Sequence, residues 1–295
     1  MNPQFPVYVV SKGRWKVRLT ADALEDMKVP YYLIVEPDEL EDYARYVSRD
    51  KLLVTPEKYH TEYDRFWKDD DLRTGPGASR NFAWDHSISN GFAWHWVMDD
   101  NIDGFCRLNH NQKIRVMTGT IFRCMEDFCL RYKNVAIAGP NYDFFAKAKQ
   151  LIPAFITNTR IYSCLLIRND IPYRWRGRYN EDTDLCLRAL KDNWCTVQFN
   201  AFLQYKATTQ TLKGGNTEQF YSKEGTYYKS KMLVDMHPDV ATLVWKFQRC
   251  HHHVDYSRFQ KIKLILKDNL NIPDAINEYD FKLMEVDKYG TQTKT

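Results

Sequence analysis

No apolar run in this chain approaches the roughly 18–20 residues needed to cross a bilayer, so a membrane-spanning helix is not expected. The start, MNPQFPVYVVSKGR, has no charged segment leading into a long apolar one and does not read as a signal peptide. No pair of cysteines has CxxC spacing, which excludes zinc-ribbon and dithiol redox motifs. Cys106, Cys124, Cys129, Cys164, Cys186, Cys195 and Cys250 lie mostly in apolar segments and read as reduced core thiols of a cytoplasmic protein. A glycine loop ending in Gly-Lys-Ser/Thr is missing, so there is no Walker phosphate loop. Internal repeats and low-complexity tracts are lacking too. Neither sign of charge dominates: a net charge of +4 permits a polyanionic partner without specifying one.

What is present suits a globular enzyme. The 295 residues are 44% hydrophobic and 15% aromatic, enough for a real core. PVYVVSKGR, VPYYLIVEPDEL and KLLVTP read as strands, with helices predicted at TADALEDMK and DELEDYARYV. That alternation opens a parallel nucleotide-binding sheet. GPGASRNFAWDHSIS reads as a helix ahead of a strand, WHWVM, which runs into Asp99-Asp100-Asn101. After this acidic turn come a helix (VMTGTIFRCMEDFCLRY), two strands (NVAIAGP, RIYSCLLIRN) and a helix whose apolar positions recur at helical spacing (YNEDTDLCLRALKDN). WCTVQFN and AFLQYKA are predicted as two closing strands, and VATLVWKFQRCHHHVDYSRF as two late ones. The expected organisation is a domain over 1–260 and a helical or partly flexible extension over 261–295.

Four clusters fall at predicted strand ends or helix starts. Ser11, Lys12, Gly13 and Arg14, facing Glu36, form either a nucleobase-binding loop or a solvated turn. GPGASRN places a close-approach backbone at a helix N-terminus that favours anions. Arg80 there is a forked phosphate donor and Asn81 a polar partner; a capped surface helix fits the same residues. Asp99 and Asp100 repel each other unless a cation, a donor or water lies between them. Oxygen ligands of this kind suit Mg²⁺ or Mn²⁺ bridging phosphates. Finally, Glu181, Asp182 and Asp184 crowd a helix start, where the dipole stabilises acids; a carboxylate there can also serve as general base on an acceptor hydroxyl.

Read together, the clusters look like a GT-A glycosyltransferase fold: a Rossmann-like mixed, mostly parallel sheet flanked by helices. More narrowly, VYVVSKGR, GASRNFAWDHS, VMDDNI, YNEDTDLCLRAL, the Gly-Gly loop and RCHHHVDYSRF resemble the TET-associated glycosyltransferases of bacteriophages. That group is similar to the glucosyltransferase that makes base J. The resemblance runs from about residue 5 to 260 and implies a UDP-sugar donor. It also implies, as acceptor, the hydroxymethyl group of 5-hydroxymethylcytosine or a similar pyrimidine in phage DNA, in the cytoplasm of an infected host. Carried onto this sequence, Asp100 is the expected metal ligand for Mn²⁺ or Mg²⁺, and Asp99 a ligand to ribose or to a metal-bound water. Asn101 departs from the DxD pattern. Asp182 is the expected base of an inverting displacement, with Glu181 or Asp184 orienting the acceptor. Arg14 and Glu36 fall on the uracil side, with Ser11 in the same donor loop and Arg80 and Asn81 on the diphosphate.

Three further expectations attach to this reading. His251, His252 or His253 is a candidate late metal ligand, with His251 and His253 on one strand face and His252 on the other; a surface cluster fits equally. Lys213, Gly214 and Gly215 suit a donor-binding lid. Arg174, Arg176 and Arg178, interleaved with Trp175, suit DNA phosphates and an extruded base, or else pair with the protein's own acids. The rivals are a GT-A enzyme acting on a glycan or protein and a non-catalytic DNA-binding relative.

Overall fold

Val7–Val10 (β1), Tyr32–Val35 (β2) and Leu52–Val54 (β3) are short runs rich in β-branched residues and leucine, each closed by polar or proline-bearing turns. A computed structural model describes residues 1–68, 73–109, 112–147, 152–207 and 226–270. In it these strands lie parallel in the order β3-β2-β1, and Trp94–Asp99 (β4) joins them on the free side of β1. The chain therefore leaves β1 in one direction and returns on the other. That reversal opens a crevice at the strand C-termini, where α/β sheets bind ligands.

The sheet continues through Cys164–Arg168 (β9), Val135–Tyr142 (β7), Cys195–Lys206 (β10), Ile102–Asn109 (β5) and Gln112–Val116 (β6), with Phe155–Thr157 (β8) paired to β10. Beyond β4 the pairing is antiparallel except for β10 with β7, so the sheet is mixed. Two differences from the sequence reading matter. The acidic turn leads into a hairpin, β5–β6, before the next helix; β6 is almost wholly solvated, so its sequence carries little apolar signal. The two predicted closing strands are one long β10, whose register shifts between Phe199 and Leu203. The bend is held where the Asn200 and Ala201 amides both donate to the Ala154 carbonyl at 2.8 Å.

Period-two alternation along β4 sorts its side chains into two layers. Trp94, Trp96 and Met98 enter a core with helices Leu19–Asp26 (α1) and Thr120–Leu130 (α5). Val97 enters another with Gly77–Ser89 (α4) and Glu181–Lys191 (α6). Trp84, Trp96, Phe105 and Phe122 are fully buried, each contributing about 2–3 kcal/mol. The predicted late strands, Ala241–Lys246 (β11) and Arg249–Val254 (β12), form a separate hairpin against helix Tyr227–Met236 (α7, after the short helices α2, Leu40–Ala44, and α3, Glu57–Thr61). The first residues of the expected extension pack on the domain: Ile262 and Leu264 touch the core, and the Lys267 amide donates to the Arg131 carbonyl at 2.8 Å. Residues 271–295 lie outside the described residues. Among the described residues no helix is long and apolar enough to cross a membrane.

One buried acid gives the fold a pH dependence. Glu126 of α5 accepts the Gln4 amide at 2.8 Å, the Phe5 amide at 3.2 Å and the Trp96 indole at 2.8 Å, clamping the N-terminal segment to β4. Burial raises its pKa from 4.5 to about 7, against those hydrogen bonds and Arg123. The folded state thus holds this proton more tightly than the unfolded chain. Its stabilising share is complete below pH 4.5 and is lost as pH climbs to about 7, amounting to roughly 3 kcal/mol. Denaturant unfolding at about pH 5 and about pH 8 should show that decline in the parent protein and a flatter profile in Glu126→Gln. Equal slopes in the two proteins would assign the titration elsewhere.

Candidate active site at the strand C-termini

The crevice between β1 and β4 collects four carboxylates and their cations. Asp99 ends β4. Its Oδ1 accepts Arg80 Nη2 at 2.6 Å from the first turn of α4, and its Oδ2 accepts Lys206 Nζ from the end of β10. Lys206 also reaches the Ser163 hydroxyl. Asp100 accepts the Ser11 hydroxyl at 2.8 Å on Oδ2 and Arg14 Nη1 on Oδ1. Tyr43 braces this pair, its hydroxyl 2.6 Å from Ser11 Oγ. Thr20 of α1 fixes the turn itself, donating to the Asp99 carbonyl at 2.6 Å and accepting the Ile102 amide at 2.8 Å.

Arg80 is the hinge of the cluster. Only 4% of its side chain is exposed, its Nη1 donates to Glu181 Oε1 at 2.8 Å, and its guanidinium lies 4.7 Å over the Trp175 ring. It is placed by a glycine: a Cβ at Gly77 would lie 1.8 Å from the Tyr63 hydroxyl, which crosses the start of α4 to donate to the Gly177 carbonyl at 2.8 Å. Asn180, in the left-handed region at φ 53°, turns the chain into α6 and so brings Glu181 and Asp182 to the crevice.

The electrostatics follow from these contacts. Burial alone would raise Asp99, but Lys206 and Arg80 hold it far below the usual carboxylate range. Lys206 is held above its ordinary value because Asp99 outweighs its burial. Burial and the neighbouring Asp99 charge raise Asp100 in spite of Arg14 and Ser11. Burial pushes Glu181 up to about 7, with Asp182 and Asp99 acting the same way and Arg80 opposing. Asp182 differs from the other three. It is half-buried, and among the described residues its carboxylate bonds only to Thr183, from the amide at 2.6 Å and the hydroxyl at 3.2 Å. Its charge also acts on Arg160, Tyr142, Tyr162, His252 and Tyr256.

A divalent ion of the Mn²⁺ or Mg²⁺ kind needs carboxylate oxygens turned toward a common point. Here all four oxygens of Asp99 and Asp100 accept from the protein's own donors, and three of those donors are cationic. Among the described residues no three His, Cys, Asp or Glu side chains form a metal-holding group. The arrangement as it stands does not fit a resident ion: a metal at Asp100 would meet the charge of Arg14, and one at Asp99 the charges of Arg80 and Lys206. Nor do the histidines complete a site. His251 and His252 are half-buried and His253 is exposed.

Other expected residues take different places. Asp184 does not face the crevice. It is wholly buried and bonded to Arg176 at 3.0 Å, Arg188 at 2.7 Å and His237 at 2.9 Å, tying α6 to the end of α7. Arg176 is therefore committed to Asp184. Trp175 is 1% exposed beneath Arg80 and Arg178 is 4% exposed, so neither offers a face to DNA. Arg174 is exposed and lies 3.4 Å from Asp85. Asn81 is consumed by the Trp175 backbone, donating at 3.0 Å and accepting at 2.9 Å. Glu36 is held below its ordinary value because His60, at 2.9 Å, and Lys12 outweigh its burial. Arg14 meets Asp100 instead of Glu36. Lys213, Gly214 and Gly215 lie outside the described residues. Lys206, Ser163, Arg160 and Tyr142 were not anticipated. Their only advance signal is the polar ending of otherwise apolar strands.

Removing the charge of Asp184 should test its structural assignment. Asp184→Asn is expected to cost about 3 kcal/mol, because it strands two arginines, while kcat per folded molecule changes less than about threefold. A stable variant with collapsed kcat would return Asp184 to the chemistry.

The ten-stranded mixed sheet flanked by helices, with its acid cluster at the strand C-termini, is a GT-A-like glycosyltransferase architecture. The chain belongs to the TET-associated glycosyltransferase family, whose model matches residues 5–215. A search of curated proteins finds no match to it.

Proposed function

We propose that this glycosyltransferase transfers a sugar from a UDP-sugar to the hydroxymethyl oxygen of 5-hydroxymethylcytosine, or a closely similar pyrimidine, in DNA. The observation that carries the reading is Asp182: of the four crevice carboxylates it is the one with no ion pair among the described residues, half-buried at the start of α6 and bonded only to Thr183. A carboxylate so placed can take the acceptor proton. The hydroxyl oxygen attacks the anomeric carbon as its proton moves to Asp182. The bond from that carbon to the phosphate oxygen breaks, and UDP leaves with the electron pair. Attack opposite the leaving group inverts the sugar. Glu181 and Arg80 hold the start of α6 against β4, which fixes the base relative to the donor.

The test is mass spectrometry of nucleosides from 5-hydroxymethylcytosine duplex DNA incubated with a panel of UDP-sugars, with and without Mn²⁺, beside unmodified DNA. A hexose or N-acetylhexosamine adduct on the modified base alone is the expected result. Donor turnover with transfer to glycan or protein, and none to the modified base, would reject the acceptor.

A further inference from the structure

The surface beside Asp182 has features that the transfer step does not use. Phe144 and Phe145, in the turn after β7, are 51% and 49% exposed, and their rings lie 4.4 Å apart. Phe144 stacks on Tyr142 at 5.1 Å, and Tyr142 packs on Tyr162 at 4.3 Å. The rings run from solvent to the carboxylate crevice, since the Tyr142 hydroxyl lies 2.6 Å from Ser163 Oγ, which also accepts Lys206 beside Asp99. Cations flank the path: Arg160 sits 4.7 Å over Tyr162, Lys206 5.7 Å over Tyr142, and Lys147 is exposed just past the phenylalanines.

Two polar atoms in and just past β12 have no partner. Tyr256 Oη and His252 Nδ1 are buried and accept or donate no hydrogen bond among the described residues. Tyr256 packs against the cluster that holds Leu187 and Leu190 of α6, the helix that begins at Glu181 and Asp182, and His252 stands four residues before it in β12. A buried polar group left unmatched is costly, and two such groups four residues apart beside α6 point to a polar ligand that satisfies them. Exposed aromatic pairs flanked by cations suit flat bases on an anionic strand, since each base offers a π-face and its backbone a phosphate. An enzyme that modifies a base must also take it out of the stack.

We infer that Phe144 and Phe145 stack against bases of the DNA strand, and that the target base swings past Tyr142 into the pocket where Tyr256 Oη and His252 Nδ1 bond its polar edge. The inference deepens the proposed function by naming how the acceptor is held, and rests on that reading for the identity of the base. It also moves the DNA-contacting surface from the Arg174–Arg178 loop to the far side of the crevice.

Two variants and two readouts test it. Phe144→Ala/Phe145→Ala should raise KM for 5-hydroxymethylcytosine duplex DNA by about tenfold or more, with UDP affinity by calorimetry within about twofold of the parent. Phe144→Trp/Phe145→Trp should restore KM, which separates stacking from loss of fold. A 2-aminopurine placed next to the target base should brighten when parent protein unstacks it, and brighten less with the alanine pair. Tyr256→Phe, which removes a single hydroxyl, should raise KM by roughly fivefold without changing UDP affinity. Normal KM and normal fluorescence in the alanine pair, with DNA still modified, would overturn the inference and leave the function standing. DNA bound with the fluorescence signal in the parent and lost in the alanine pair, yet never glycosylated, would uphold the inference and reject the reaction. A parent protein that neither binds nor modifies DNA would overturn both.

Discussion

Asp182→Asn is expected to lower transfer by about two to four orders of magnitude while leaving UDP affinity within about twofold. The amide keeps the size of the side chain and can still accept the Thr183 amide, so α6 retains its first turn. What disappears is the ability to take a proton at the moment the acceptor oxygen attacks. The competing candidate is Glu181. Its pKa near 7 is well matched to proton transfer at neutral pH. Geometry decides against it, because one Glu181 oxygen is bonded to Arg80 and only 11% of its side chain is exposed. Were Glu181 the base, its charged form would be lost as pH falls through about 7, and kcat/KM would fall with it. Glu181→Gln would then be the inactive variant and Asp182→Asn nearly normal. Steady-state rates for both variants between about pH 5.5 and about pH 8.5 separate the two assignments.

The acids were legible because they are contiguous: Asp99 and Asp100 end one strand, and Glu181 and Asp182 start one helix. A strand end and a helix start are local events, readable from a window of several residues. The partners of those acids were not legible. Lys206 stands 107 positions from Asp99, and the pairing of β10 with β5, which sets Lys206 opposite Ile102, brings it to the same turn. The turn after β4 gives no local sign of its partners either, since its neutralising cations come from three distant elements. The arginine-rich loop misled in the opposite sense. Arg, Trp and Tyr in alternation look alike whether they face DNA or the protein's own acids, and Arg176 bonding to Asp184 eight residues away resolves it. NYDFFAKAK shows an aromatic doublet between charged residues, but no local pattern tells where the end of β7 leaves it on the sheet.

Arg80→Met is expected to destabilise the protein by about 3–5 kcal/mol, because it leaves Glu181 buried without its cation and removes one of the two that hold Asp99. The methionine fills much of the same volume, so the loss is electrostatic more than steric. Arg80→Lys should recover little: an ammonium is a point charge and cannot hold two carboxylates on two separate nitrogens. Neutralising the stranded partner should help. In Arg80→Met/Glu181→Gln the buried charge is gone, and about half of the lost stability is expected to return, since Lys206 still pairs with Asp99. Urea midpoints at constant m-value give the four corners of this cycle. The same proteins distinguish an internal brace from a donor-binding arginine. A brace changes the folded fraction and leaves the UDP affinity of the folded molecules nearly intact, whereas direct contact with the diphosphate would weaken that affinity by about tenfold or more. Arg80→Met with unchanged stability and weakened UDP binding would place Arg80 on the donor, and the support of α6 would then have to come from the Asp184–His237 network alone.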